Sequence, residues 1–171
     1  MKLDEKRVQL YLSEYLRRKG HGFTIPNISW SWLYWEADLV SITKNFYLYE
    51  YEIKITRPDF QNDFKKRKHN QLKAPHAGNR IPNYFTYVAP LEAIPLCIPD
   101  YAGLYEIQRS GRYGCYIDII EIKRPALLHR EKQTRTSIIK MLKTMMAKYW
   151  DLAETLENNK VQSSLILPEG E

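Results

Sequence analysis

No apolar run in this chain of 171 residues approaches the roughly 20 residues that a membrane-spanning helix requires, so no membrane partner is expected. The first residues, Met1-Lys2-Leu3-Asp4-Glu5-Lys6-Arg7, lack the apolar core of a secretory signal. Cysteine is scarce. Cys97 and Cys115 stand alone, at no spacing that suits a metal or a redox pair. Without a secretory signal, two reduced thiols in a cytoplasmic setting are expected rather than a disulfide. Internal repeats, low-complexity tracts and linkers are missing too. A chain of this length fits one domain with a proper core. The expected division is a single domain over residues 1–171, with a core over about 3–125, a C-terminal helix over about 131–158 and a frayed tail over 159–171.

What the chain does contain is charge. Apolar residues make up 44% and charged residues 27%, ordinary proportions for a globular protein, but the net charge is +6 and the pI is near 9.2. The excess is local. Between Lys54 and Arg80 stand eight basic residues (Lys54, Arg57, Lys65, Lys66, Arg67, Lys68, Lys73, Arg80) against only Asp59 and Asp63, an excess equal to that of the whole chain. Such a segment attracts polyanions; on its own it is equally a solvated basic face.

Residues 3–19 carry Val8, Tyr11, Leu12, Tyr15 and Leu16 at helical spacing, with Gly20 as a stop. Residues 33–42 and 46–56 are rich in aromatic and β-branched side chains and flank Thr43-Lys44-Asn45, the pattern of a hairpin. Alternation along the second of these strands puts Glu50, Glu52 and Lys54 on one face and Tyr49, Tyr51, Ile53 and Ile55 on the other. Thr56-Arg57-Pro58-Asp59 then opens a helix expected to run to about Leu72: a threonine cap, an early proline and an acid in the first turn. Further strands are expected over 83–89, 102–108 and 114–122. A long C-terminal helix follows, with a stripe of Ile138, Leu142, Met145, Tyr149, Leu152 and Leu156. That stripe either covers the sheet or zips to a second copy, and core packing is the default over so few heptads. The fold class is α/β, a mixed sheet flanked by helices.

One arrangement here answers to chemistry more than to folding. Asp38 ends Trp35-Glu36-Ala37-Asp38, and Glu52-Ile53-Lys54 follows on the neighbouring strand. Two carboxylates with the main-chain carbonyl of Ile53 suit a hard divalent cation such as Mg2+ or Mn2+, which needs few protein oxygens when a substrate phosphate completes its shell. An ammonium on the same face, that of Lys54, would stabilise charge on the phosphoryl group or orient the attacking water. Each residue also has a bland reading, as a turn cap or as cross-strand ion pairs worth little. A second match, Asp118 with Glu121-Ile122-Lys123, lies on one strand with its acids on opposite faces and is taken as a decoy.

The helix, the Asp38 strand, the hairpin, Glu52-Ile53-Lys54 and the Thr56-Arg57-Pro58-Asp59-Phe60 turn together resemble the PD-(D/E)XK nuclease superfamily over roughly residues 3–90. Within it they are most similar to small restriction-endonuclease-like and resolvase-like members, including bacterial MmcB-type DNA repair proteins. The resemblance implies an αβββαβ core, Asp38 and Glu52 as metal ligands, Lys54 as catalytic lysine, and a Mg2+- or Mn2+-dependent endonuclease acting on DNA in phage or bacterial repair or recombination. Some members add a helix-borne glutamate to the metal site. Glu5 faces inward best for that role, or it simply complements the helix dipole. Glu36-Ala37-Asp38 departs from the superfamily's frequent Pro-Asp, and Glu50 offers a further acid on the same face. Arg57, Lys65, Lys66, Arg67, Lys68 and Lys73 are the expected nucleic-acid contacts. His21, His69 and His76 receive no role. Trp30, Trp32, Tyr34, Trp35 and Tyr84 are read as core before base-stacking residues. The oligomeric state stays open, with a homodimer the easiest arrangement for cutting both strands. The rival reading is a non-catalytic nucleic-acid-binding protein that uses the basic helix over 57–72.

Overall fold

The computed structural model describes residues 3–29, 35–74, 81–111 and 116–166, with side chains described as far as 160. They fall into two compact units, Met1–Gln133 and Thr134–Glu171. The long helix expected within one domain thus forms the second unit.

The first unit is an α/β layer structure. Helix α1 (Glu5–Arg18) leads to β1 (His21–Ser29), β2 (Glu36–Thr43) and β3 (Leu48–Ile53). Two short helices follow, α2 (Arg57–Asp63) and α3 (Lys68–Lys73), then β4 (Tyr84–Pro90), a 3-10 turn (Leu91–Ala93), β5 (Ala102–Ser110) and β6 (Tyr116–Lys123). The αβββαβ order expected over the first ninety residues is present. The six strands lie in chain order β1-β2-β3-β4-β5-β6. Neighbours are antiparallel except β3–β4 and β4–β5, which run parallel.

Helices α1 and α2 begin where the sequence supplies a cap. The Asp4 carboxylate accepts from the Arg7 amide at 2.9 Å to cap α1, and the Thr56 hydroxyl accepts from the Asp59 amide at 3.4 Å to cap α2. Val8, Leu12 and Leu16 of α1 are fully buried against Leu39, Tyr51, Ile53, Val88, Tyr105 and Ile107 on one face of the sheet. On the other face Phe60 and Leu72 pack with Phe85, Tyr87, Ala89 and Leu104. Strand alternation therefore sends Tyr51 and Ile53 toward α1, and Glu50, Glu52 and Lys54 toward α2 and α3.

One strand was not marked by the residue pattern, and one expectation changes. Strand β1 lies in a stretch that holds Gly22, Pro26 and Asn27. As the edge of the sheet it can hold a proline that donates no ladder bond, and Asn27 takes a left-handed φ of 48°. The helix expected from Arg57 to about Leu72 is broken over 64–67. On an uninterrupted helix Lys68 would lie about 140° round from Asp63; the break brings both side chains over β3.

The second unit is helix α4 (Arg135–Ile166). Its expected core stripe is largely exposed, at Leu142, Tyr149, Leu152 and Leu156. Among the described residues no helix is long and apolar enough to cross a membrane.

Candidate active site

The register places Leu39 opposite Tyr51 as the last pair of the β2–β3 ladder. One step further Asp38 comes level with Glu52, and the strands exchange a side-chain bond in place of a ladder bond: Asp38 Oδ2 accepts from the Ile53 amide at 2.7 Å. The two acids and Lys54 thus meet where β2 and β3 separate. Lys54 is held on its other side by β4, its amide donating to the Val88 carbonyl at 2.9 Å.

The ammonium of Lys54 lies 2.8 Å from Glu52 Oε1, both side chains being buried. Glu52 is crowded with cations. Lys66 Nζ is 3.1 Å from the same oxygen and Lys68 Nζ is 2.6 Å from Oε2. Behind them stands Asp63, fully buried, with Lys66 at 2.6 Å, Lys68 at 3.5 Å and Lys54 at 3.6 Å from its Oδ1. Its Oδ2 accepts from the Tyr87 hydroxyl at 2.8 Å and lies 2.9 Å from His69 Nε2. His69 Nδ1 is 2.6 Å from the Tyr101 hydroxyl.

The electrostatics of the acids differ. Burial alone would raise the Asp63 carboxyl, but the hydrogen bond with His69, the charge of Lys68 and the contact with Lys66 overcome it and hold Asp63 far below the usual carboxylate range. Burial pushes the Asp38 carboxyl up to about 7, and the adjacent Glu52 charge pushes the same way against the Ile53 amide and Lys54. Burial opposes the charge on Lys54, yet the Glu52 carboxylate beside it holds its ammonium above the ordinary range. Glu50, two residues before Glu52 on β3, is completely buried. Its Oε1 accepts from the Trp35 indole at 2.7 Å, while Oε2 has no hydrogen-bond partner. Burial lifts this carboxyl to about 8 against the pull of Lys68.

Glu5 reaches the rim of this cluster from α1. Burial raises its carboxyl, opposed by Lys54 and reinforced by Glu52. The link is Gln9, whose amide nitrogen lies 2.9 Å from Glu5 Oε1, 2.7 Å from Asn27 Oδ1 and 2.9 Å from the Asp38 carbonyl. A single amide therefore ties α1, β1 and β2 together beside Asp38.

Among the residues expected to meet nucleic acid, Arg57, Lys65, Arg67 and Lys73 are exposed. Lys66 is 54% exposed but ion-paired inward, and Lys68 is buried. Lys68 thus belongs to the charge cluster and not to the outer surface. Asp63, read from the sequence only as a local partner for the basic residues of its helix, and His69, given no role there, sit at the centre of the cluster. Their role depends on the helix break and on Tyr87, which no local motif signals. The copy of the motif on β6 is dispersed: Lys123 Nζ donates to the Pro99 carbonyl at 3.0 Å and Glu121 pairs with Arg124. Of the aromatics, Trp35 is occupied by Glu50 and Tyr84 stacks on Tyr49 at 4.3 Å. Trp30, Trp32, Tyr34, His76, Arg80 and Cys115 lie outside the described residues; Cys97 is exposed and free.

No family model matches the chain, and no curated protein sequence does. Among solved structures the chain is similar to a protein of unknown function from Silicibacter pomeroyi, at 14% identity and a TM-score of 0.61, over 94% of this chain and 96% of that one. At that identity the likeness shows the fold alone.

Proposed function

We propose that this protein is a divalent-metal-dependent nuclease that hydrolyses DNA phosphodiester bonds in the cytoplasm. The observation that carries the reading is the meeting of Asp38, Glu52 and Lys54 at the parting of β2 and β3, with Glu5 at the rim. The donor set fits a hard cation: all oxygen, and with Asp38 lifted to about 7 partly by the charge of Glu52, a repulsion that a cation would relieve. Asp38 and Glu52, with the Ile53 carbonyl and Glu5, would hold Mg2+ or Mn2+. When bound, such an ion supplies charge neutralisation and a more acidic water.

The chain's own residues do the remaining work. Asp63 keeps Lys54 and Lys66 charged and directs them toward Glu52. Lys54 presents a fixed ammonium to the phosphoryl oxygens, where charge accumulates as the nucleophile adds. Arg57, Lys65, Arg67 and Lys73 hold the phosphate backbone on either side, an affinity that carries no sequence information.

One observation favours a second reading, a nucleic-acid-binding protein without chemistry. Both oxygens of Glu52 already face ammonium groups, and among the described residues no three His, Cys, Asp or Glu side chains are gathered to hold an ion. Labelled duplex, single-stranded and branched DNA incubated with Mg2+ or Mn2+ separates the two. Cleavage by the wild type, lost in Asp38→Asn, Glu52→Gln and Lys54→Ala with the circular dichroism spectrum kept, is the expected result. Binding without products under either metal would leave the second reading in its place.

A further inference from the structure

Helix α4 carries Ile138, Leu142, Met145, Tyr149, Leu152 and Leu156 at alternating steps of four and three residues, the seam of a coiled coil. The seam is open over its second half, where Tyr149, Leu152 and Leu156 are each more than half exposed; Leu142 is exposed too, Ile138 and Met145 are half-buried, and Ile139 (53%) and Met146 (48%) widen the surface on one flank. So much contiguous apolar surface on one helix face calls for a partner.

The charges on the same helix say which partner. Over 135–150 stand Arg135, Lys140, Lys143 and Lys148 with no acid, whereas beyond Trp150 come Asp151, Glu154 and Glu157, followed by Lys160. The helix is basic in its first half and acidic in its second. A second copy laid antiparallel sets each basic half beside an acidic half, within the range over which charges interact at physiological salt. The seam also superposes on itself in that orientation. Ile138 meets Leu156, Leu142 meets Leu152 and Met145 meets Tyr149, each pair occurring twice about an axis level with Ala147. A parallel pair would set like halves together. An isologous contact of this kind closes at two copies.

We propose that α4 pairs with α4 of a second copy of this chain as an antiparallel two-helix coiled coil, making the protein a homodimer. The proposal is independent of the nuclease reading.

Sedimentation equilibrium of the full chain across micromolar concentrations tests the assembly. The expected result is a species of twice 20.4 kDa that Leu142→Glu/Leu152→Glu converts to monomer. Because that variant also risks unfolding α4, oxidative cross-linking gives an independent readout, in a background where Cys97→Ser and Cys115→Ser remove the native thiols. Met146→Cys lies next to its own copy across the axis and forms disulfide dimers. Leu156→Cys is about 27 Å from its own copy and does not, but it cross-links when mixed with Ile138→Cys. A wild-type monomer at 100 µM overturns the proposal. So does self-linking of Leu156→Cys, which is the mark of a parallel pair, and so does a dimer in which none of these positions cross-links.

Discussion

Glu50 is the residue whose burial has the plainest energetic consequence. Its carboxyl, ordinarily near 4.5, is lifted to about 8, and that of Asp38 from 3.8 to about 7. Below about pH 4 the folded and unfolded chains hold these protons alike. As the pH rises, the unfolded chain releases them first and the folded chain keeps them, so stability falls with pH between about 4 and 8. Asp63 adds nothing to this slope, because its depressed carboxyl contributes fully once the pH exceeds the ordinary 3.8. His21, whose imidazole burial pushes below its ordinary 6.5, tilts the curve the opposite way below about that pH. Comparing the wild type with Glu50→Gln isolates the glutamate, since the amide oxygen still accepts from the Trp35 indole. Urea denaturation of the metal-free protein should show the variant gaining on the wild type from pH 5 to pH 8, by an amount on the order of a few kcal/mol. Parallel curves would mean that Glu50 is not protonated in the folded state.

Lys68 makes a second test at the same scale. Its ammonium is buried between Glu52 and Asp63, and removing one member of a buried charge cluster leaves the others uncompensated. Lys68→Ala is expected to cost about 3 kcal/mol or more in chemical denaturation, whereas Lys65→Ala on the exposed surface should change stability by less than about 0.5 kcal/mol. Equal small effects would show that Lys54 and Lys66 neutralise the two acids without it.

At the scale of elements, close backbone approach is fixed by Gly103 on β5. A Cβ there would stand 2.8 Å from Pro125 Cδ and 2.9 Å from the Thr86 hydroxyl oxygen. Gly103→Ala must push the segment after β6 away from the sheet, and a loss of about 1–3 kcal/mol is expected for such overpacking. A thermal midpoint unchanged from the wild type would count against that contact. The elements themselves were unequally legible. The hairpin of β2 and β3, the capped start of α2 and the stripe of α1 follow local rules, so alternation and capping reveal them and place Asp38 and Glu52 on their strands, with Lys54 one residue past the end of β3. Strand β1 did not announce itself, because its Pro26 and Asn27 are tolerated only at a sheet edge, which is a tertiary fact. The break between α2 and α3 carries no proline or glycine to mark it. It lets Lys66 and Lys68 pair with both Glu52 and Asp63, and those with Glu52 join residues up to sixteen apart, which periodicity within one helix cannot express. Half of the candidate site was therefore readable from spacing, and the ion-paired half was not.

For the molecule as a whole, the basic segment divides into two populations with different work. Lys54, Lys66 and Lys68 point inward at Glu52 and Asp63, so part of the local charge excess is spent within the protein. Arg57, Lys65, Arg67 and Lys73 face solvent and remain for a polyanion. Binding through phosphates releases counterions, and the logarithm of the affinity falls with the logarithm of salt at about 0.9 for each duplex phosphate neutralised. Lys65→Ala/Arg67→Ala should therefore reduce the salt slope for duplex DNA by about 2 and weaken binding alike on unrelated sequences. Lys68→Met, if it folds, should leave the slope unchanged, since its charge never meets the ligand. Fluorescence anisotropy between 50 and 200 mM salt measures both. A slope that drops for Lys68→Met and holds for the double variant would mean that DNA enters the charge cluster itself and displaces the ammonium groups from Glu52.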